Sequence, residues 1–307
     1  MEAASITIRV PDIGDHGGAL ARAEACFGRP EEGWLDLSTG INPWPYPVPA
    51  IPARAWTRLP DDGELARLLA AAARCYGARD ASTVVAAPGS QALIQCLPRL
   101  FPAASGPLRV AVVGPTYAEH ARCWQLAGHA VQEHDALPDA AGADVAVVTN
   151  PNNPDGRRQD PERLLRLADE LASRNGLLVV DEAFADVAPD ISLAGQAGRE
   201  GMCVLRSFGK FFGLAGIRLG FALGPAALVR HLGAVLGPWA VAGPAIEIGA
   251  AALADEGWAA AMRVNLAAAA RDLDRLRDAH GLAVVGGTDL YRLVRTGQAG
   301  RLHEALG

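Results

Sequence analysis

Runs of apolar, largely β-branched residues alternate with helical patterns along this chain, and no other feature narrows its fold as far. The runs are Thr83 to Ala87, Arg109 to Val113, Val145 to Thr149, Leu177 to Val180, Met202 to Leu205 and Leu219 to Leu223. Helix-like stretches lie between them, at about Glu64 to Tyr76, Gln91 to Leu97, Ala118 to Leu126, Pro161 to Asn175 and Ala226 to Leu236. Strands that are apolar on both faces and joined through helices indicate an α/β fold with a mostly parallel sheet covered on both sides. Such sheets place their ligands beyond the carboxyl ends of the strands. Residues 1–48 are rich in Pro and Gly and poor in periodicity, which reads as an N-terminal arm, and residues 49–240 as the large domain. A long Ala-rich helical pattern from Trp258 to Ala279, followed by Leu282 to Val285 and Tyr291 to Val294, predicts a smaller α+β domain over 241–307.

Composition excludes several classes of partner. The 307 residues carry 34 acidic and 28 basic side chains, a net charge of −6, with no cluster of five or six basic residues. That balance argues against nucleic acid or an anionic membrane. A spanning helix needs roughly 20 apolar residues, whereas the longest candidate, Leu232 to Ile246, holds Gly and Pro and is closed by His231 and Glu247. Met1 to Val10 carries Glu2 and Arg9 without an apolar core or cleavage site, so the expected location is the cytoplasm. The cysteines, Cys26, Cys75, Cys96, Cys123 and Cys203, are odd in number and widely spaced, which fits buried thiols better than a disulfide framework. His120, Cys123, His129 and His134 cluster in sequence but match no zinc spacing, so no metal is expected.

Four short motifs follow predicted strands, where an open α/β sheet builds its site: Pro88-Gly89-Ser90-Gln91, Asn150-Pro151-Asn152-Asn153-Pro154-Asp155-Gly156, Asp181-Glu182-Ala183-Phe184, and Ser207-Phe208-Gly209-Lys210 extended to Arg218. Of the 28 basic residues 27 are Arg, and the single lysine is Lys210. Lysine is the basic side chain whose pKa shifts readily on burial, so its amine can lose a proton and attack a carbonyl, which a guanidinium cannot do. Gly89 permits close backbone approach at a helix start, where the amides of Ser90 and Gln91 suit an anion. A guanidinium such as that of Arg218 grips phosphate oxygens as a fork.

In order and spacing, with eight residues from Lys210 to Arg218, these motifs resemble the fold-type I pyridoxal-phosphate enzymes of the aspartate aminotransferase superfamily, over residues 35 to 295 or so. The resemblance implies a seven-stranded type of sheet and pyridoxal 5'-phosphate as cofactor. It makes Lys210 the catalytic Schiff-base lysine and Asp181 the carboxylate facing the pyridine nitrogen. Gly89, Ser90, Gln91, Ser207 and Arg218 would hold the phosphate, Asn153 the phenolic oxygen, and Tyr117 would stack on the ring. Phe184 stands where aminotransferases commonly carry Tyr, so one hydrogen bond to the phenolic oxygen is missing.

The bond broken at the substrate Cα depends on how the substrate is held. Here the arm is informative, through Asp15-His16-Gly17-Gly18 and Leu35-Asp36-Leu37-Ser38-Thr39-Gly40-Ile41-Asn42-Pro43. Together these are similar to the threonine-phosphate decarboxylases of cobalamin biosynthesis, relatives of the histidinol-phosphate aminotransferases. The resemblance implies that the arm folds over the active site, that His16, Gly17, Gly40 and Asn42 bind the substrate, and that the substrate is a phosphorylated amino acid. It further implies a homodimer. The expected reaction converts O-phospho-L-threonine to (R)-1-amino-2-propanol O-2-phosphate. The alternatives are an aminotransferase acting on a phosphorylated substrate such as histidinol phosphate, and a noncatalytic remnant of the fold. Relatives continue past position 307 into segments that supply substrate-binding Arg residues, so the C-terminal domain reads as incomplete.

Overall fold

The computed structural model describes residues 17–103, 106–139 and 142–306. Among them, residues 41–296 form one compact unit, and residues 17–40 with 297–306 belong to a second. The larger unit is built on a seven-stranded sheet of β1 (Val84–Ala87), β2 (Arg109–Val113), β3 (Ala130–His134), β4 (Val145–Thr149), β5 (Leu177–Asp181), β6 (Met202–Ser207) and β7 (Gly220–Leu223). Their spatial order is β1-β7-β6-β5-β4-β2-β3. All pairs are parallel except those of β7, which runs antiparallel to both β1 and β6. Every residue of β4 and β5 is buried, as their two-sided apolar sequences require.

Alternation along these strands feeds two cores. Leu178, Val180, Met202 and Val204 face one, with the aromatic group Phe208, Phe211 and Phe212; Leu177, Val179, Cys203 and Leu205 face the other, with Trp124. Helices cover both faces: α2 (Ala53–Thr57), α3 (Asp62–Tyr76), α4 (Ser90–Cys96), α5 (Glu119–Leu126), α6 (Pro161–Ala172), α7 (Phe208–Phe211), α8 (Ala226–Leu236), α9 (Gly243–Ala254) and α10 (Glu256–Ala279). Their starts follow local chemistry. Asp61 and Glu64 close a capping box on α3, and Asp160 caps α6 ahead of Pro161.

After α10 comes a two-stranded antiparallel hairpin, β8 (Ala283–Thr288) and β9 (Tyr291–Arg295). The second unit contains α1 (Leu20–Phe27) and α11 (Ala299–Leu306). The arm reads as poor in periodicity, yet it contains the helix α1, which has no capping side chain to signal its start and buries no residue. Likewise β3 escapes a reading by apolar runs, because it is the sheet's edge and its Gln132 and Glu133 are exposed. No helix among the described residues is long and apolar enough to cross a membrane.

Candidate active site

Strand direction brings the four motifs to one edge of the sheet. Thr149, Asp181 and Leu205 are level across β4, β5 and β6, so the Asn-Pro turn, the Asp-Glu pair and the lysine helix all emerge together. The reversed strand β7 completes the edge. Ala87 and Ser207 both pair with Gly220, which sets the turn after β1 and the end of β6 on either side of the start of β7, two residues beyond Arg218. A Cβ on Gly220 would lie 2.3 Å from the Ser90 nitrogen, so the opening amide of α4 rests directly on β7. Gly89 has φ +83° and its missing Cβ would lie 2.6 Å from Arg218 Nη2, which puts that guanidinium against the helix start. No side chain caps α4. The guanidinium donates to the Ala215 carbonyl (3.0 Å), and among the described residues it pairs with no carboxylate. Gly89, Ser90, Gln91, Ser207 and Arg218 are thereby neighbours at one corner of the sheet edge, with open amides and a cation suited to a phosphate.

Lys210 lies on the four-residue α7 and is largely buried. Burial pushes its ammonium below the ordinary lysine value, Asp181 opposes that shift, and Arg218 adds to it. The ring of Phe184 lies 5.5 Å from Nζ. The backbone of α7 is held from residues 42–46: Asn42 N donates to the Lys210 carbonyl (3.0 Å), Asn42 Nδ2 to the Phe211 carbonyl (2.8 Å), and Tyr46 N to the Phe212 carbonyl (2.9 Å). Asn42 Oδ1 accepts from Trp44 N. The structure therefore places Asn42, 2% exposed, as a brace for the lysine helix.

Asp181 is buried and accepts a bond from Ala183 N (3.0 Å). Its other oxygen lies 2.8 Å from His120 Nε2; a carboxylate can only accept, so the shared proton sits on the imidazole. His120 was read in the sequence only as part of a His/Cys grouping, and its true partner is 61 residues away. His129, from the same grouping, accepts from Leu108 N instead. Tyr117 meets the His120 ring edge-to-face and donates its hydroxyl to Gln91 Oε1 (3.0 Å), while Gln91 Nε2 donates to Glu119 Oε2 (2.7 Å).

On the opposite face of the strand ends lies a network that sequence reading missed. Arg206 donates to Glu182 (2.8 Å) and Asp186 (2.5 Å), all three fully buried, and Ser192 Oγ and Leu193 N also donate to Glu182. Because Asp181 and Glu182 point to opposite sides, one carboxylate enters the site while the next ties β5 to β6 behind it.

In the Asn-Pro turn, Asn153 is half-buried, whereas Asn152 is buried and donates to the Pro115 carbonyl and Asp155. Tyr291 of β9 donates to the Asn152 carbonyl and packs edge-to-face on Phe184. Arg292 is no free clamp, since Asp274 accepts from both its Nε and Nη2. In the second unit, Gly17 packs on Ser38, whose Oγ accepts from Gly18 N, and Gly40 closes the segment. His16 lies outside the described residues.

A buried amine with a depressed pKa, a buried carboxylate held by an imidazole, and a guanidinium with no carboxylate partner among the described residues, set beside a helix start, fit an aromatic aldehyde carrying a basic ring nitrogen and a phosphate. These features define a fold-type I pyridoxal-phosphate enzyme. Residues 53–299 match the family described as aminotransferase class I and II, and the chain belongs to that family. The chain is 46% identical over 297 residues to threonine-phosphate decarboxylase of Pseudomonas aeruginosa, covering 95% of this chain and 86% of that protein. With threonine-phosphate decarboxylase of a Sinorhizobium species it shares 44% over 295 residues, with the same coverage. The crystal structure of L-threonine-O-3-phosphate decarboxylase from Porphyromonas gingivalis superposes with a TM-score of 0.69 over 82% of each chain at 21% identity, a likeness of fold.

Proposed function

We propose that this protein decarboxylates O-phospho-L-threonine to (R)-1-amino-2-propanol O-2-phosphate for cobalamin biosynthesis, using pyridoxal 5'-phosphate bound covalently at Lys210. The observation that carries the substrate is the likeness to two threonine-phosphate decarboxylases over 95% of the chain. When bound, the cofactor supplies an electron sink for the charge left at the substrate Cα. The chain's own residues do the rest. Asp181, oriented by His120, keeps a proton on the ring nitrogen, and Tyr117 holds the ring plane. Gly89, Ser90, Gln91, Ser207 and Arg218 anchor the phosphate, and Asn153 donates to the phenolic oxygen.

Lys210 is the proton carrier: burial lowers its pKa below the ordinary lysine value, so Nζ gives up a proton more readily than an exposed amine and can protonate the product carbon. His16, Gly17 and Gly40 are assigned to the substrate's anionic groups on the strength of that likeness, and Asn42 acts through the lysine helix that it braces. The protein works as a homodimer in the cytoplasm; exposed Trp44, Trp56, Leu59 and Trp239 supply apolar surface for a second copy, and the five cysteines are unpaired. Incubating the loaded protein with phosphothreonine tests the reaction. Carbon dioxide released without a 2-oxo acid supports it, and a strict requirement for 2-oxoglutarate rejects it.

A further inference from the structure

A primary amide has two different faces, an oxygen that accepts and a nitrogen that donates, and its neighbours decide which way it points. Glu119 is 4% exposed and offers only acceptors. Its Oε1 takes a bond from Arg122 Nη1 (2.9 Å) and its Oε2 one from Gln91 Nε2 (2.7 Å). The amide of Gln91 is thus turned nitrogen-first toward Glu119 and must show Oε1 to Tyr117. The Tyr117 hydroxyl in turn has to donate, at 3.0 Å. Burial pushes the Tyr117 phenol upward, with Glu119 and Asp181 adding to the shift, so the hydroxyl keeps its proton across the physiological range.

We infer that Gln91 and Glu119 are positioning residues, a two-member relay that fixes the plane of the Tyr117 ring against the cofactor. The inference rests on the proposed stacking of Tyr117. The relay holds the ring at its hydroxyl end; its body meets His120 at 6.2 Å and 88°, and His120 is itself bonded to Asp181. The ring plane is therefore registered to the carboxylate that faces the pyridine nitrogen. Gln91 also supplies the second residue of α4, so one residue links the stacking ring to the phosphate corner.

The test compares Q91L, Q91E, E119Q, the double variant Q91E/E119Q and Y117L with the parent. The readouts are the cofactor dissociation constant and the circular dichroism of the bound cofactor. Loss of one buried hydrogen bond corresponds to about tenfold in affinity, so Q91L should weaken cofactor binding by that factor and flatten the dichroism. Q91E sets two carboxylates face to face and should be weaker still. The double variant moves the carboxylate to position 91, where it accepts from both Tyr117 and the new amide at 119, and should recover affinity to within about threefold of the parent.

A cofactor-free readout accompanies these. Ultraviolet titration of Q91L should show one of the four tyrosines ionising at lower pH, because the phenol has lost the acceptor that favours its neutral form. If Y117L weakens binding while Q91L and Q91E leave both affinity and dichroism at parental values, the relay is refuted and the stacking stands. If Y117L changes neither, the stacking itself is wrong.

Discussion

Replacing Gly89 with Ala separates the fold's need for this glycine from the site's. At φ +83° and ψ 156° the residue occupies backbone space that is essentially reserved for glycine, and forcing an L-residue there costs about 1–3 kcal/mol of stability. The added methyl also meets Arg218 Nη2 at 2.6 Å. A guanidinium at the end of a flexible stem moves away more easily than a backbone does, so the clash is relieved by displacing Arg218. A charge-assisted bond from that guanidinium to the cofactor phosphate is worth roughly 1.5–3 kcal/mol, which is about 10- to 150-fold in affinity.

Gly198→Ala is the control. Its φ is +100°, its nearest neighbour for a new Cβ is a methyl at 3.6 Å, and it lies beside Thr83 at the far end of β1. Melting of the cofactor-free proteins should fall for both variants. Titration with pyridoxal phosphate, followed by protein fluorescence, should show weakened binding for G89A alone. Binding by G89A within twofold of the parent, with the melting temperature lowered, would refute Arg218 as a phosphate ligand.

Three further outcomes are expected. Arg206→Met strands the buried carboxylates of Glu182 and Asp186 and should cost about 3–5 kcal/mol in urea unfolding; a loss under about 1 kcal/mol would mean that the network relaxes around solvent. In the cofactor-free protein the folded state binds the Lys210 proton less tightly than the unfolded state does. The resulting penalty is full at pH values below the folded pKa and vanishes above the unfolded value of about 10.4. Lys210→Met should therefore raise the melting temperature near neutral pH, with the gain fading as pH rises toward that value; a gain independent of pH contradicts the burial argument. Asp181→Ala should retain the covalent cofactor but lose roughly 100-fold or more in turnover, measured as carbon dioxide release, and near-parental turnover would remove Asp181 from the ring nitrogen.

Much of the architecture was legible because β4 and β5 are apolar on both faces, a pattern that water leaves to few folds. The position of each motif just after a strand likewise predicted that they would emerge at one edge of the sheet, as they do. Direction was not legible: nothing in Gly220-Phe221-Ala222-Leu223 says that β7 runs against its neighbours, yet that reversal carries Arg218 to Gly89 at the start of α4. Side-chain partners were hidden for the same reason, since they are set by packing across long separations. Gln91 was read for its backbone amide, while its side chain bridges Tyr117 and Glu119. His120 finds Asp181 across 61 residues, and Asn42, read as a substrate contact, is bonded into the lysine helix. The pairing of Glu182 with Arg206 follows from strand alternation only once the register of β5 and β6 is known.

The proposed chemistry turns on one amine. Because Lys210 is the chain's single lysine, borohydride reduction of the cofactor-loaded protein followed by peptide mass mapping has one permitted side-chain answer. The added cofactor mass should appear stoichiometrically on the peptide containing Lys210 and disappear in Lys210→Ala. Its absence from that peptide, or its presence on the chain's amino terminus instead, would contradict the central claim.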